Sequence, residues 1–348
     1  MDIRSLLRAD IEALEAYTPI MPFEALSERL GIPPEQIVKL DANENPYGPS
    51  RRAIKAIATY PYYAIYPDPD QRPIHRALAR YTGQPVERIL CGNGSDEIID
   101  LLMRLFVEPG DAVVECPPTF GMYSFNTGIV AGRSVAVRRE PDFRVDVEKV
   151  ADAVEASRAK LIFLPSPNNP DGSVLARHEI ERLLELPAVV VIDEAYAEFS
   201  GETAMDLVGH APNLVVLRTF SKWAGLAGLR LGYGIIPEPI IAHLWKIKPA
   251  YNINMAAQAA AIASLEDLDY LMENVHAIVD ERERMFRALR EIEGLHPYPS
   301  RANFILMRVV SGRARELKQA LERSGILIRY FDKPGLRNCV RVSIGRPE

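Results

Sequence analysis

Apolar residues in the middle of the chain run continuously rather than alternating with polar ones. "LIFLPSP" (161–167), "AVVVIDEAY" (188–196), "NLVVLRTFSK" (213–222) and "LRLGYGII" (229–236) are short apolar runs closed by turn-forming or charged residues, while "HEIERLLELP" (178–187) has helical spacing. Continuous runs mean strands covered on both faces. Strand–helix alternation then predicts an α/β fold with a mostly parallel sheet between helices. After about Pro249 the texture changes. "NMAAQAAAIASLEDLDYLMENVHAIVDERERMFRALREI" reads as a long helix in two pieces, and "NFILMRV", "ARELKQALERSG", "ILIRYF" and "CVRVSIG" form a smaller β-α-β-β unit. The expected organisation is a large domain over 45–255 and a small α/β domain over 256–348, with an N-terminal arm over 1–44 that contributes to the small domain. The arm opens on "MDIRSLLRADIEALEAY", an amphipathic helix pattern broken by charges.

Composition narrows the function. The 348 residues are 48% hydrophobic and 25% charged, with a net charge of −6, so no basic footprint for nucleic acid is present. No apolar run is long enough for a transmembrane helix, and the start lacks the apolar core of a signal peptide. Cys91, Cys116 and Cys339 are odd in number and widely spaced, which reads as reduced thiols in a cytoplasmic protein. The histidines show no HxH or HxxxH spacing, so no protein-bound metal is expected.

In an open parallel sheet, ligands bind beyond the carboxyl ends of the strands. Strand "RIL" leads into Gly92-Asn93-Gly94-Ser95-Asp96 and then a helix with Ile98, Leu101, Leu102 and Leu105 on one face. Such a start suits a phosphate, although taken alone a plain side-chain cap by Ser95 or Asn93 is the better explanation. "LIFLPSP" leads into Asn168-Asn169-Pro170-Asp171-Gly172, either a simple turn or an amide held over a cofactor oxygen. "AVVVID" delivers Asp193, and a carboxylate closing a buried strand needs a cation or a protonated ring nitrogen. "NLVVLRTFS" delivers Ser221 and Lys222, followed by Trp223-Ala224-Gly225-Leu226, a poor solvent face that suits an amine nucleophile. Arg230 follows eight residues on. A phosphate cradle, an acid for a pyridinium nitrogen and a Schiff-base lysine are the parts a pyridoxal phosphate site needs.

With these residues in place, the chain resembles the fold-type I pyridoxal-phosphate-dependent aminotransferases, and among them the histidinol-phosphate aminotransferase family. "LDANENPYGP" (40–49), "YPDPD" (66–70), "GNGSDE" (92–97), "PPTFGMY" (117–123), "SPNNP" (166–170), "VIDEAY" (191–196), "TFSKWAGLAGLRLGYG" (219–234), "ILIRYF" and "CVRVSIG" carry the resemblance across nearly the whole chain. It implies that Lys222 holds pyridoxal 5'-phosphate as a Schiff base and that Asp193 keeps the ring nitrogen protonated. Asn169 and Tyr196 match the pair that hydrogen-bonds the ring oxygen. Ser95, Asp96, Ser221 and Arg230 match the phosphate cup, and Phe120 the aromatic ring stacked on the cofactor. Tyr66 matches a residue that reaches the neighbouring subunit's site, which implies a homodimer. Arg341 matches the arginine that grips the substrate's anionic group, with Arg329 as its helper, and Asn45 falls at the substrate.

The implied reaction exchanges an amino group between L-histidinol phosphate and 2-oxoglutarate, a step of histidine biosynthesis. Rival readings are a decarboxylase of a phosphorylated amino acid and an aromatic amino-acid aminotransferase. Four departures stand out: Asp171 where many relatives have Thr, Phe120 where many have Tyr, Ile20 where some place a Tyr near the substrate phosphate, and an end at Glu348 where relatives continue into a short helix.

Overall fold

The computed structural model describes residues 3–14 and 23–347, so Ile20 and Glu348 lie outside the described residues. Among the described residues, twelve strands fall into two sheets. The larger contains β2 (Ile89–Asn93), β3 (Ala112–Glu115), β4 (Arg133–Ala136), β5 (Leu161–Pro165), β6 (Val189–Asp193), β7 (Leu214–Thr219) and β8 (Leu231–Ile235) in the order β2-β8-β7-β6-β5-β3-β4. The smaller contains β1 (Val38–Leu40), β9 (Leu295–Pro297), β10 (Phe304–Val309), β11 (Ile326–Tyr330) and β12 (Cys339–Ser343) in the order β1-β11-β12-β10-β9.

The continuous apolar runs at 161–165, 189–193 and 214–219 become the central parallel strands because helices cover both faces. Ile162 and Leu164 of β5 pack into one core, and Leu161 and Phe163 into a second on the opposite face. Pairing is parallel from β4 through β3, β5 and β6 to β7, whereas β8 runs antiparallel to both β7 and β2. Two antiparallel steps restore the direction, so β2 ends at the same edge as β5, β6 and β7. The antiparallel β8 begins at that edge, directly after Arg230. The topology therefore brings Gly94, Asn169, Asp193, Lys222 and Arg230 to one rim.

The two-piece helix is observed as Met255–Leu265 and Leu268–Arg290. The C-terminal strands form the smaller sheet with a helix, Ala314–Arg323, against it. That sheet is completed from the other end of the chain, since β1 pairs in parallel with β11. The first residues depart from the continuous helix expected of them. A single 3-10 turn (Ile3–Leu6) and one helical turn (Ala9–Glu12) are separated by Arg8 in an extended conformation. Ile3, Leu6, Leu7 and Ile11 are all exposed, so no buried apolar face stabilises a longer helix in this stretch. Among the described residues, no helix is long and apolar enough to cross a membrane.

Candidate active site

A cavity of about 420 Å³ opens at the rim, between the carboxyl ends of the large sheet and the edge of the small one. Asp193, the last residue of β6, lies in it and is only 4% exposed. Its Oδ2 accepts a hydrogen bond from Tyr123 Oη at 2.8 Å, and its Oδ1 one from the Ala195 amide at 3.1 Å. Burial nevertheless pushes the carboxyl up to about 6. Burial, and then the Asp193 charge, hold the Tyr123 phenol well above its ordinary range, so it stays a donor. Tyr123 is fixed by stacking on Phe163 of β5 (centroids 5.1 Å apart) and by an edge contact with Phe120 at 5.6 Å.

The adjacent acid goes elsewhere. Glu194 pairs with Arg218 at 2.7 Å, and Arg218 also meets Glu198 at 2.9 Å, in a buried ion cluster. Only Asp193 of the two acids faces the cavity.

Lys222 follows β7 and is half-buried. Its Nζ lies 3.5 Å from the Ala42 carbonyl oxygen and 5.8 Å from the centroid of the Tyr196 ring. Tyr196 Oη accepts a hydrogen bond from Asn43 Nδ2 at 3.0 Å. Asn43 holds a left-handed backbone (φ 56°) that asparagine tolerates, and the Asn43 amide donates to Ser343 Oγ at 2.8 Å. The segment before the large domain is thereby locked over the lysine.

At one end of the cavity the helix Ser95–Phe106 begins without a side-chain cap, with Gly94 (φ 75°) before it. The side-chain caps considered for Ser95 and Asn93 are not used, which leaves the first-turn amides open to an anion. The Arg230 guanidinium bonds Asp96 at 2.8 Å. A Cβ on Gly94 would stand 2.6 Å from an Arg230 nitrogen, so glycine is what lets the arginine close over the helix start. Ser221 Oγ lies 3.0 Å from Thr219 Oγ1 in the same wall.

Arg341 of β12 approaches the other end. It is 5% exposed, donates to Asn169 Oδ1, and donates to the Asp41 carbonyl at 2.7 Å. Arg329 of β11 is its direct cross-strand partner. The Phe331 ring lies between the two cations, its centroid 5.7 Å from Arg329 and 5.6 Å from Arg341. Both readings of the Asn168-Asn169 turn have a residue to carry them. Asn168 is buried and holds the turn through Asp171, Thr119 and the Pro118 carbonyl, while Asn169 lines the cavity.

Lys222, Asp193, Tyr196, Asn169, Ser95, Asp96, Phe120, Ser221, Arg230, Arg329 and Arg341 therefore all line one cavity. Asn45 and Tyr66 do not. The Asn45 side chain is spent locally, donating to the Trp223 carbonyl at 2.8 Å and accepting from the Tyr47 amide at 2.9 Å, and this segment reaches the cavity through Ala42 and Asn43 instead. Tyr66 is 80% exposed and stacks on Tyr251 at 4.9 Å. Sequence reasoning passed over Tyr123 and Asn43, although both sit inside quoted motifs. A period shows which face a residue is on, not which acid or phenol it will meet.

These features fit a flat cofactor with a phosphate at one end and a basic ring nitrogen at the other. The open helix start with Arg230 suits the phosphate, no ion pair holds the buried Asp193 among the described residues, and Lys222 lines the same cavity. Residues 35–348 match the model of the family described as aminotransferase class I and II. The chain belongs to the class I and II aminotransferases. A histidinol-phosphate aminotransferase of Roseiflexus castenholzii is 59% identical over 99% of this chain and 95% of its own length. A chloroplastic histidinol-phosphate aminotransferase of Nicotiana tabacum is 51% identical over 99% of this chain and 84% of its own. Among solved structures, that of histidinol-phosphate aminotransferase from Sinorhizobium meliloti in complex with pyridoxal-5'-phosphate superposes with a TM-score of 0.90 at 31% identity, covering 99% of this chain and 94% of that one. In this aminotransferase the rim of the large sheet and the paired arginines of the small one thus face a single cavity.

Proposed function

We propose that this aminotransferase uses pyridoxal 5'-phosphate to exchange an amino group between L-histidinol phosphate and 2-oxoglutarate, giving imidazole acetol phosphate and L-glutamate in histidine biosynthesis. The observation that carries the reading is one cavity holding a lysine, a buried carboxyl and, at the far end, two adjacent arginines, in a chain 59% identical to a histidinol-phosphate aminotransferase. The shared identity favours transamination of this donor over the decarboxylase and aromatic alternatives.

When bound, the cofactor supplies a cationic ring that accepts electron density from the substrate. Lys222 Nζ is the group we assign to covalent attachment. The same Nζ takes the proton from the amine-bearing carbon of the donor as a general base and returns a proton as an acid. Asp193 Oδ2 and Oδ1, oriented by Tyr123 and the Ala195 amide, hold the ring nitrogen protonated. Tyr196 and Asn169 would donate to the ring oxygen, Phe120 would cover the ring face, and the Ser95 and Asp96 amides, with Ser221 and Arg230, would hold the phosphate. Arg341 takes the anionic end of either substrate, since a guanidinium donates to phosphate and carboxylate alike, and Arg329 is its helper for a phosphate.

The exposed Tyr66 supports a homodimer in which it reaches the partner subunit's site. The two separate sheets support the division into residues 45–255 and residues 256–348 plus the arm. The three free, buried cysteines favour a cytoplasmic setting. The deciding experiment is a donor profile of the purified protein, with glutamate formation and carbon dioxide release followed in parallel. Glutamate from histidinol phosphate without carbon dioxide is the expected result. Preference for a phosphate-free aromatic donor, or release of carbon dioxide, overturns it.

A further inference from the structure

Beyond Arg341 and Arg329, the outer end of the cavity carries cations that the proposed reaction has not used. Lys333 lies two residues after Phe331 in the turn that follows β11, and it lines the cavity together with Arg138 on the opposite wall. Its Nζ reaches across from the small sheet to the large one, standing 3.5 Å from where a Cβ on Gly121 would be. Among the described residues no hydrogen bond or ion pair holds this ammonium. The acid it acts upon is Glu115, whose carboxyl burial raises and whose nearby hydroxyls and Lys333 lower, and Glu115 is already bonded to Ser134 Oγ at 2.8 Å. Neighbouring charges of the same turn are used up differently, since Asp332 pairs with Arg315 and Arg337.

Arg341 already donates to Asn169 and Asp41, and Arg329 sits against the Phe331 ring. A phosphate monoester carries about −1.5 to −2 charges near neutral pH, with three acceptor oxygens. The glutamate side chain presents a single negative charge. Beyond the two arginines the cavity therefore carries further cations, Lys333 and Arg138, more positive charge than a single carboxylate needs and suited to the larger charge of a phosphate.

We propose that Lys333 is a specificity-determining residue that binds the phosphate group of the amino donor and makes no use of the carboxylate of glutamate; this rests on the donor reading above. The ammonium sits on an exposed turn, so its effect is moderate: Lys333→Ala raises the KM for histidinol phosphate by about tenfold, the range of a partly screened charge-assisted hydrogen bond. The KM for glutamate and for unphosphorylated L-histidinol stays within about twofold, and Lys333→Arg restores most of the phosphate preference.

The test follows the two half-reactions separately in wild type, Lys333→Ala and Lys333→Arg. A third measurement is inhibition of the glutamate half-reaction by O-phosphoethanolamine, which presents a phosphate monoester whatever the natural donor is. Weaker inhibition of Lys333→Ala with unchanged glutamate turnover supports the assignment. Unchanged inhibition, or an equal loss for phosphorylated and unphosphorylated ligands, overturns it. Wild-type protein that ignores histidinol phosphate defeats the donor reading separately, and the inhibition measurement still decides Lys333.

Discussion

Tyr123 Oη and Asp193 Oδ2 are 2.8 Å apart and both side chains are buried, so one phenol bears directly on how much charge the carboxylate can keep. The hydrogen bond stabilises the ionised acid and opposes the burial that lifts it to about 6. Tyr123→Phe removes the donor, and the carboxyl then rises further. Because cofactor binding on our reading needs the ionised acid, affinity falls by roughly tenfold at pH 7, the worth of a hydrogen bond to a charged group. The loss is larger at pH 6 than at pH 8. Titration of the apoprotein with cofactor across that range checks it, and a loss independent of pH means the phenol acts through packing alone.

Asp193 also ties function to stability. Its folded value, about 6, lies above its unfolded value near 3.8, so the native state binds the proton more tightly. Above pH 6 the apoprotein therefore carries a buried charge that the unfolded chain carries in water, and the resulting penalty disappears as pH falls toward 4. Asp193→Asn should stabilise the apoprotein by about 1–3 kcal/mol at pH 8 and by nearly nothing at pH 4. Added cofactor reverses the order, because only the wild type gains its full binding energy. Thermal melts with and without cofactor at both pH values test this. An Asn variant less stable than wild type in the apo form at pH 8 counts against it.

Much of this arrangement was legible in the chain. Runs such as 189–193 and 214–219 are apolar throughout because both faces of β6 and β7 are covered, and the residue ending such a run sits at the rim. That is why Asp193, Lys222 and Asn169 could be found by reading strand ends. The apposition of Arg329 and Arg341 depends on the register of β11 against β12, which no local pattern encodes. Asn43 and Asn45 are two residues apart in an irregular segment, where periodicity says nothing about which of them faces the cavity. At the start of the arm the apolar spacing suggested a helix, but spacing matters only when something covers the face, and Ile3, Leu6, Leu7 and Ile11 are exposed.

Arg218 of β7 is a buried cation, with Glu194 and Glu198 as its partners. Removing one member of such a cluster leaves charges in a dry interior, typically costing about 3–5 kcal/mol. Arg218→Met should lower stability by that order, more at pH 8 than at pH 5.5, since burial already raises the Glu198 carboxyl and its protonation relieves part of the stranded charge. Adding Glu194→Gln and Glu198→Gln should recover most of the loss. Chemical denaturation of the single and triple variants decides the matter, and a triple variant no better than the single one points to lost packing.

Lys222→Ala is expected to reduce transamination by more than about 10³-fold, since it removes both the assigned attachment point and the proton carrier. Borohydride treatment should trap cofactor covalently on the wild type and not on the variant. Measurable turnover or trapped cofactor in Lys222→Ala removes the lysine from its assigned place.

Arg329 offers a sharper division of labour than Arg341. Arg341 is buried, bonded to Asn169 and Asp41, and set against Phe304 as well as Phe331, so its loss disturbs the whole end of the cavity. Arg329 is only half-buried and meets the Phe331 ring. Its removal should spare the fold and the first charge of a bound anion while weakening the hold on a second. Arg329→Ala is thus expected to raise the KM for histidinol phosphate by roughly ten- to a hundredfold and that for glutamate by less than about threefold. Steady-state kinetics with each donor measures the split. An equal effect on both places Arg329 with Arg341 as a general anion contact and leaves the preference for phosphate to other residues.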